Sequence, residues 1–293
     1  MVDLKGCGTA LVTPFKSSGE VDLDSYRNLV SWQIESGIHF LVPCGTTGES
    51  VTLAEKEYRQ VIGTCVETVS GAVPVVAGAG TNNTDHAVEL ARLAEGEGAD
   101  AILSVTPYYN KPTPEGLYHH FQKIADSVKI PVVLYNVPGR TSTNMLPETV
   151  FRLAAVDNII GVKEASGNLV QIMDLLAGRP SGFRILSGDD QLALAVTCLG
   201  GEGVISVASN LIPAEMSRMI DLALKGQLQE AREIHYLYLS LMNLNFIESS
   251  PIPVKYALAR MGRLEEVYRL PLYPMSDPSK RKMDEELQKL DLL

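Results

Sequence analysis

The apolar run Asn158-Ile159-Ile160-Gly161-Val162 ends on Lys163 and then turns through Glu164-Ala165-Ser166-Gly167-Asn168. A lysine closing a buried-strand pattern is unusual, because desolvation disfavours its charged form and lowers its pKa. The same effect makes the amine nucleophilic near neutral pH, which is the chemistry of a Schiff-base lysine. The competing reading is a strand-end lysine whose stem packs while its head reaches water. What the other strand ends deliver decides between the two.

Three further turns carry reactive groups. Cys44-Gly45-Thr46-Thr47-Gly48-Glu49-Ser50 sets two hydroxyls between glycines that let backbone N–H groups converge, a seat for a carboxylate or simply a glycine-rich turn. Thr106-Pro107-Tyr108-Tyr109-Asn110-Lys111-Pro112 and Tyr135-Asn136-Val137-Pro138-Gly139-Arg140 bring phenols and an arginine. A phenol held within hydrogen-bond reach shuttles protons, and the arginine fork fits a carboxylate through two parallel bonds. Singly, each Tyr reads as packing and Arg140 as a solvated loop charge; as a set with Lys163 they favour a site that forms an imine with a keto acid. Lys111 competes for the role of amine, but its neighbours Asn110 and Pro112 offer nothing that would desolvate it.

Other signals are weaker. Gly78-Ala79-Gly80-Thr81-Asn82-Asn83 lacks the third glycine of a dinucleotide fingerprint and reads as a loop. His39, His86, His119, His120 and His235 have no HExxH spacing and no neighbouring cysteine set, so a metal site lacks support. Asp189 and Asp190 read either as a cation seat or as a cap for the helix that follows.

The elements that must position these residues alternate in a βα rhythm. Strands are expected at 8–13, 39–43, 74–78, 100–106, 131–136, 159–163, 183–187 and 203–207. Helices are expected between them at 22–36, 54–69, 84–97, 114–127, from Pro147, at 169–177 and at 191–199, with 213–224 closing the series. Eight βα units without a break predict a (β/α)8 TIM barrel over residues 1–225, with an open doubly wound sheet as the alternative. Residues 226–293 carry helical patterns at 227–246, 253–261 and 276–290 and no strand signal, so a small C-terminal helical extension is expected. In such a barrel the site lies at the C-terminal strand ends, the face to which Lys163 and the three turns belong.

Composition fits this reading. The chain has 293 residues, 45% hydrophobic and 20% charged, enough to bury a large core. With 25 Lys plus Arg against 35 Asp plus Glu, the net charge of −10 argues against general affinity for nucleic acid or an anionic membrane. Cys7, Cys44, Cys65 and Cys198 are scattered in mostly apolar company, the pattern of free thiols in a reducing compartment. The N-terminus shows no signal-peptide pattern, and a cytoplasmic location is expected.

Taken in order, Gly8-Thr9-Ala10-Leu11-Val12-Thr13-Pro14-Phe15, Gly-Thr-Thr-Gly-Glu at 45–49, Thr-Pro-Tyr-Tyr-Asn at 106–110, Tyr-Asn-Val-Pro-Gly-Arg at 135–140, Gly-Val-Lys-Glu-Ala at 161–165 and Pro251-Ile252-Pro253-Val254-Lys255 resemble the dihydrodipicolinate synthase family of pyruvate-dependent class I aldolases. The resemblance spans nearly the whole chain. It implies condensation of pyruvate with aspartate 4-semialdehyde in the lysine and diaminopimelate pathway, by a cytoplasmic homotetramer built as a dimer of dimers and needing no cofactor. Lys163 would form the Schiff base, Thr46 and Thr47 would hold the pyruvate carboxylate, and Tyr135, Thr46 and Tyr109 would form a proton relay, Tyr109 reaching into the neighbouring subunit. Arg140 would hold the carboxylate of the second substrate, and Gly188 and Ile205 would line the pyruvate end. Ser50, Asn82 and Tyr108 match a lysine effector site, where His86 replaces a common acidic residue and Tyr58 also differs. The sialic-acid lyases of the same superfamily lack the arginine matched by Arg140, so a sugar-acid aldolase is the second reading; a barrel that binds ligand without turnover is the third.

Overall fold

The computed structural model describes residues 2–293. Eight strands alternate with helices: β1 (Gly6–Ala10), α1 (Leu23–Glu35), β2 (Phe40–Val42), α2 (Glu55–Val69), β3 (Val76–Gly78), α3 (Thr84–Gly96), β4 (Ala101–Val105), α4 (Pro114–Ala125), β5 (Val132–Asn136), α5 (Pro138–Thr141), α6 (Pro147–Leu153), β6 (Ile159–Glu164), α7 (Leu169–Gly178), β7 (Arg184–Ser187), α8 (Asp190–Cys198), β8 (Gly203–Ser206) and α9 (Pro213–Leu224). Three more helices follow, α10 (Leu228–Leu244), α11 (Ile252–Arg260) and α12 (Asp277–Lys289).

The helix starts follow local chemistry. The side chains of Asp22, Asn83, Thr113 and Asn168 accept hydrogen bonds from the first-turn N–H groups of α1, α3, α4 and α7, satisfying donors that the helix itself cannot. Pro114 occupies the first turn of α4, where its missing N–H costs nothing.

All strand pairs are parallel, in the order β2-β1-β8-β7-β6-β5-β4-β3. The two ends of that order meet: Leu41 bridges Val75, Leu41 N–H donates to the Pro74 carbonyl at 2.9 Å and Gly78 N–H to the Pro43 carbonyl at 2.9 Å. The sheet is therefore a closed (β/α)8 barrel, as the βα rhythm predicts. Alternation along the strands separates two apolar layers. Ala10, Phe40, Val42, Leu103, Val133, Tyr135, Leu186 and Ile205 fill the barrel interior. Leu41, Ile102, Val132, Leu134 and Val204 face outward and pack under the helices.

The expected boundaries shift in a few places. The first strand begins at Gly6 and leaves the ladder after Ala10, ahead of Pro14, which has no N–H to give a neighbour. Pro138–Thr141 forms a one-turn helix where a plain loop was expected, because Pro138 presets the helical φ and the N–H groups of Thr141 and Ser142 bond back to Val137 and Pro138. Asp189 precedes α8 without a capping bond; instead, the Asp190 carboxylate accepts from the N–H groups of Val207 and Ala208 at 3.1 and 2.8 Å.

The C-terminal helices do not stand apart. Leu241 and Met242 of α10, Val254 and Leu258 of α11, and Met283 and Leu287 of α12 belong to the same apolar cluster as the helices around the barrel. Among the described residues, no helix is long and apolar enough to cross a membrane.

Candidate active site

Lys163 lies on β6, and its inward direction depends on an irregularity in the ladder. Val132 pairs with Ile159, but Val133 pairs with Gly161, so Ile160 is an extra residue. Ile159 and Val162 face outward while Ile160 faces the barrel interior. Simple alternation from Ile159 would have pointed residue 163 outward as well; the extra residue turns it in. Gly161 is required at the irregularity, since a Cβ there would lie 2.6 Å from the Arg184 carbonyl oxygen. Tyr135 pairs with Lys163 across the ladder, and Nζ sits 4.3 Å from the centre of the phenol ring. The lysine is 5% exposed. At Gly188 an added Cβ would lie 2.5 Å from Ala165 Cβ and 3.0 Å from Lys163 Cε, so glycine leaves room for the lysine stem.

Burial pulls the Lys163 pKa down to about 8, against the raising effect of the Asp189 and Asp190 carboxylates; the Arg140 charge lowers it further. Burial pushes the Tyr135 hydroxyl up to about 12, opposed by Arg140 and by a hydrogen bond with Thr46. Near neutral pH a useful fraction of the amine is therefore free base, while the phenol keeps its proton and is able both to donate and to accept. Desolvation also raises the pKa of Asp189 and of Asp190.

A cavity of about 200 Å³ opens at this amine, and Thr46, Thr47, Tyr135, Arg140, Lys163 and Gly188 all line it. Larger cavities exist, one of them sharing Thr46, Tyr135 and Arg140 with it, but this one holds the desolvated amine. Ile205 is fully buried in the interior layer that also contains Tyr135 and Leu186. Arg140 rides on α5, and its Nη2 donates to the Ser250 carbonyl at 3.1 Å. Tyr109 stands apart: it adopts φ 72° and is 89% exposed, outside the cavity of its own chain. Lys111 is exposed in the same loop, as expected of a solvated amine.

A second cavity, of about 500 Å³, is lined by Ser50, Tyr58, His86, Glu89 and Tyr108. Asn82 does not line it; it borders a neighbouring depression beside Asn83 and His119. Tyr58 is buried, with its hydroxyl donating to the Gly78 carbonyl at 2.9 Å. His86 pairs with Glu89 at 3.2 Å on the exposed side. Among the described residues, no group of three or more His, Cys, Asp or Glu is arranged to hold a metal ion.

Sequence reasoning missed several residues around the amine. Phe246 and Ser250, from the C-terminal region, line the Lys163 cavity. Glu164 points away from the interior into a buried amide network. Its carboxylate accepts from Asn136 Nδ2, Gln171 Nε2 and Ser166 N–H, while Asn144 bridges Asn136 and Gln171. Desolvation raises its pKa against these donors. The available signal was a second polar residue directly after Lys163 in an apolar strand, with Asn136 at the matching position on the neighbouring strand.

Residues 3–290 match the model of the dihydrodipicolinate synthetase family. The chain belongs to this family. It is similar to a 4-hydroxy-tetrahydrodipicolinate synthase from Koribacter versatilis (strain Ellin345), 57% identical over 282 residues that cover 96% of this chain and 94% of the relative. Among solved structures it is similar to a chloride-inhibited dihydrodipicolinate synthase from Acinetobacter baumannii complexed with pyruvate. That structure is 40% identical, with a TM-score of 0.98 over 99% of this chain and 100% of the other. A dihydrodipicolinate synthase from Cyanidioschyzon merolae with lysine bound is 39% identical, with a TM-score of 0.97 over 100% of both chains. The backbone framework around Lys163 is thus that of the family.

Proposed function

We propose that this chain condenses pyruvate with L-aspartate 4-semialdehyde to give 4-hydroxy-tetrahydrodipicolinate, with Lys163 as the Schiff-base residue. The observation that carries the reading is a buried amine, its pKa lowered to about 8, at the floor of a cavity lined by two threonines, a phenol and an arginine. The neutral Nζ attacks the ketone carbon of pyruvate, and loss of water leaves an iminium that acts as an electron sink. A methyl proton then leaves, and the enamine attacks the aldehyde carbon of the second substrate. The amine of that substrate finally attacks the iminium carbon, closes the ring and expels Lys163.

Each step moves a proton, and Tyr135 is the group that handles it in this reading. It keeps its proton at neutral pH, and Thr46 lines the same cavity. Tyr109 completes the relay from a second copy of the chain, a role supported by its 89% exposure. Thr46 and Thr47 seat the pyruvate carboxylate, Gly188 and Ile205 bound the pyruvate end, and Arg140 grips the carboxylate of the semialdehyde. Borohydride added with pyruvate is expected to fix a stable adduct on Lys163; a labelled peptide that lacks Lys163 would refute the assignment. A coupled assay with the two substrates tests the full reaction.

The assembly is proposed as a homotetramer of two tight dimers, which sedimentation analysis tests directly. The four free cysteines support a reducing, cytoplasmic setting. For lysine as an effector, Ser50, His86 and Tyr108 line one cavity with Asn82 beside it. The imidazole of His86 supplies no fixed negative charge for an ammonium, whereas Glu89 lines the same cavity; titrating activity with lysine decides whether the site responds.

A further inference from the structure

The Thr46–Thr47 turn continues into Glu49, and Glu49 is held by the far end of the chain. Glu49 adopts φ 53° and ψ 34°, left-handed backbone that a residue with a Cβ rarely occupies. Its carbonyl accepts from Thr52 N–H and its own N–H donates to the Thr46 carbonyl at 3.1 Å, so its backbone sets the direction in which the threonines point. Its side chain is buried and accepts a 2.6 Å bond from Lys255 Nζ, itself fully buried. The ammonium also lies 4.3 Å from the centre of the Phe15 ring. Arg269 secures the segment that follows, donating to the Thr52 carbonyl at 2.8 Å and to Glu57.

A buried ion pair is a poor stabiliser, since desolving two charges offsets most of their attraction and an apolar pair of similar volume does as well. What it does supply is a fixed geometry. Lys255 belongs to α11, and just before that helix the Ser250 carbonyl accepts from Arg140. One short strut thus touches both carboxylate seats: through Lys255 the threonine turn, and through Ser250 the arginine.

We propose that Glu49 and Lys255 are positioning residues that hold the Thr46–Thr47 turn in register with Arg140, so that α11 couples the two substrate seats. The proposal rests on the reaction proposed above. Three variants test it: Glu49→Asp, which keeps the charge but shortens the tether by a methylene, Lys255→Met, and the neutral double variant Glu49→Gln/Lys255→Met. Pyruvate KM, kcat, borohydride trapping on Lys163 and thermal midpoint are measured for each.

The expected result is a fall in kcat/KM for pyruvate on the order of 10²-fold, the scale of a misplacement of about 1 Å. Trapping at saturating pyruvate still labels Lys163. In the double variant the thermal midpoint recovers towards wild type while the pyruvate KM stays raised. A wild-type pyruvate KM in Glu49→Asp or in the folded double variant would overturn the positioning role, because a merely structural pair would be rescued by restored stability. Absence of any adduct on Lys163 in the wild type would instead overturn the proposed reaction, so the two failures are distinguishable.

Discussion

The lowered pKa of Lys163 makes a quantitative claim about imine formation. Burial moves the amine from 10.5 to about 8. At pH 7 a group with pKa 8 is about one-tenth free base, against about one part in 3,000 at 10.5, a gain of about 300-fold in nucleophile, or about 3 kcal/mol. The assay is the rate of borohydride-trapped adduct at subsaturating pyruvate across pH. The rate is expected to rise about tenfold per pH unit at first and to level off near pH 8. Asp189→Asn removes the largest influence that raises the pKa, so the midpoint moves down. A wild-type midpoint near 10, or an upward move in Asp189→Asn, would refute the claim that the barrel desolvates this amine. The sign for stability follows from the same shift. The folded pKa lies below the unfolded one, so the unfolded chain binds more protons between about pH 8 and 10.5 and stability rises with pH across that window. Below pH 8 the cost is borne in full, and Lys163→Met is expected to raise the urea midpoint at pH 7 by an amount corresponding to no more than about 3 kcal/mol.

Other substitutions separate the roles around the cavity. Tyr135→Phe deletes the hydroxyl proposed as the relay while keeping the ring beside Nζ, so kcat is expected to fall on the order of 10²–10⁴-fold with little change in pyruvate KM; steady-state kinetics decide. Arg140→Ala removes a charged hydrogen-bond donor worth about 1.5–3 kcal/mol, predicting a rise of about 10–150-fold in KM for the semialdehyde while pyruvate trapping on Lys163 is retained. Glu164→Leu leaves Asn136, Gln171 and Ser166 without their shared acceptor, at a cost of about 1–3 kcal/mol read from urea denaturation.

The eight βα units and an amine at the end of an apolar strand were legible in the chain, because strand and helix periodicities are local and an amine ending an apolar run contradicts its surroundings. The starts of α1, α3, α4 and α7 lie within one residue of those expected, since the capping bonds that fix them span only two or three residues. The direction of Lys163 was not. Its inward turn depends on the extra residue Ile160, which exists only relative to β5. Nor does the chain announce that Lys255 reaches Glu49 across 206 positions, or that Arg140 reaches Ser250 across 110. Sequence determined which groups stand at the strand ends, since that follows from residue type and short-range period. Only the closed barrel, with α11 packed against it, decided how they meet: burial, pKa and hydrogen-bond partners come from neighbours that distant parts of the chain supply.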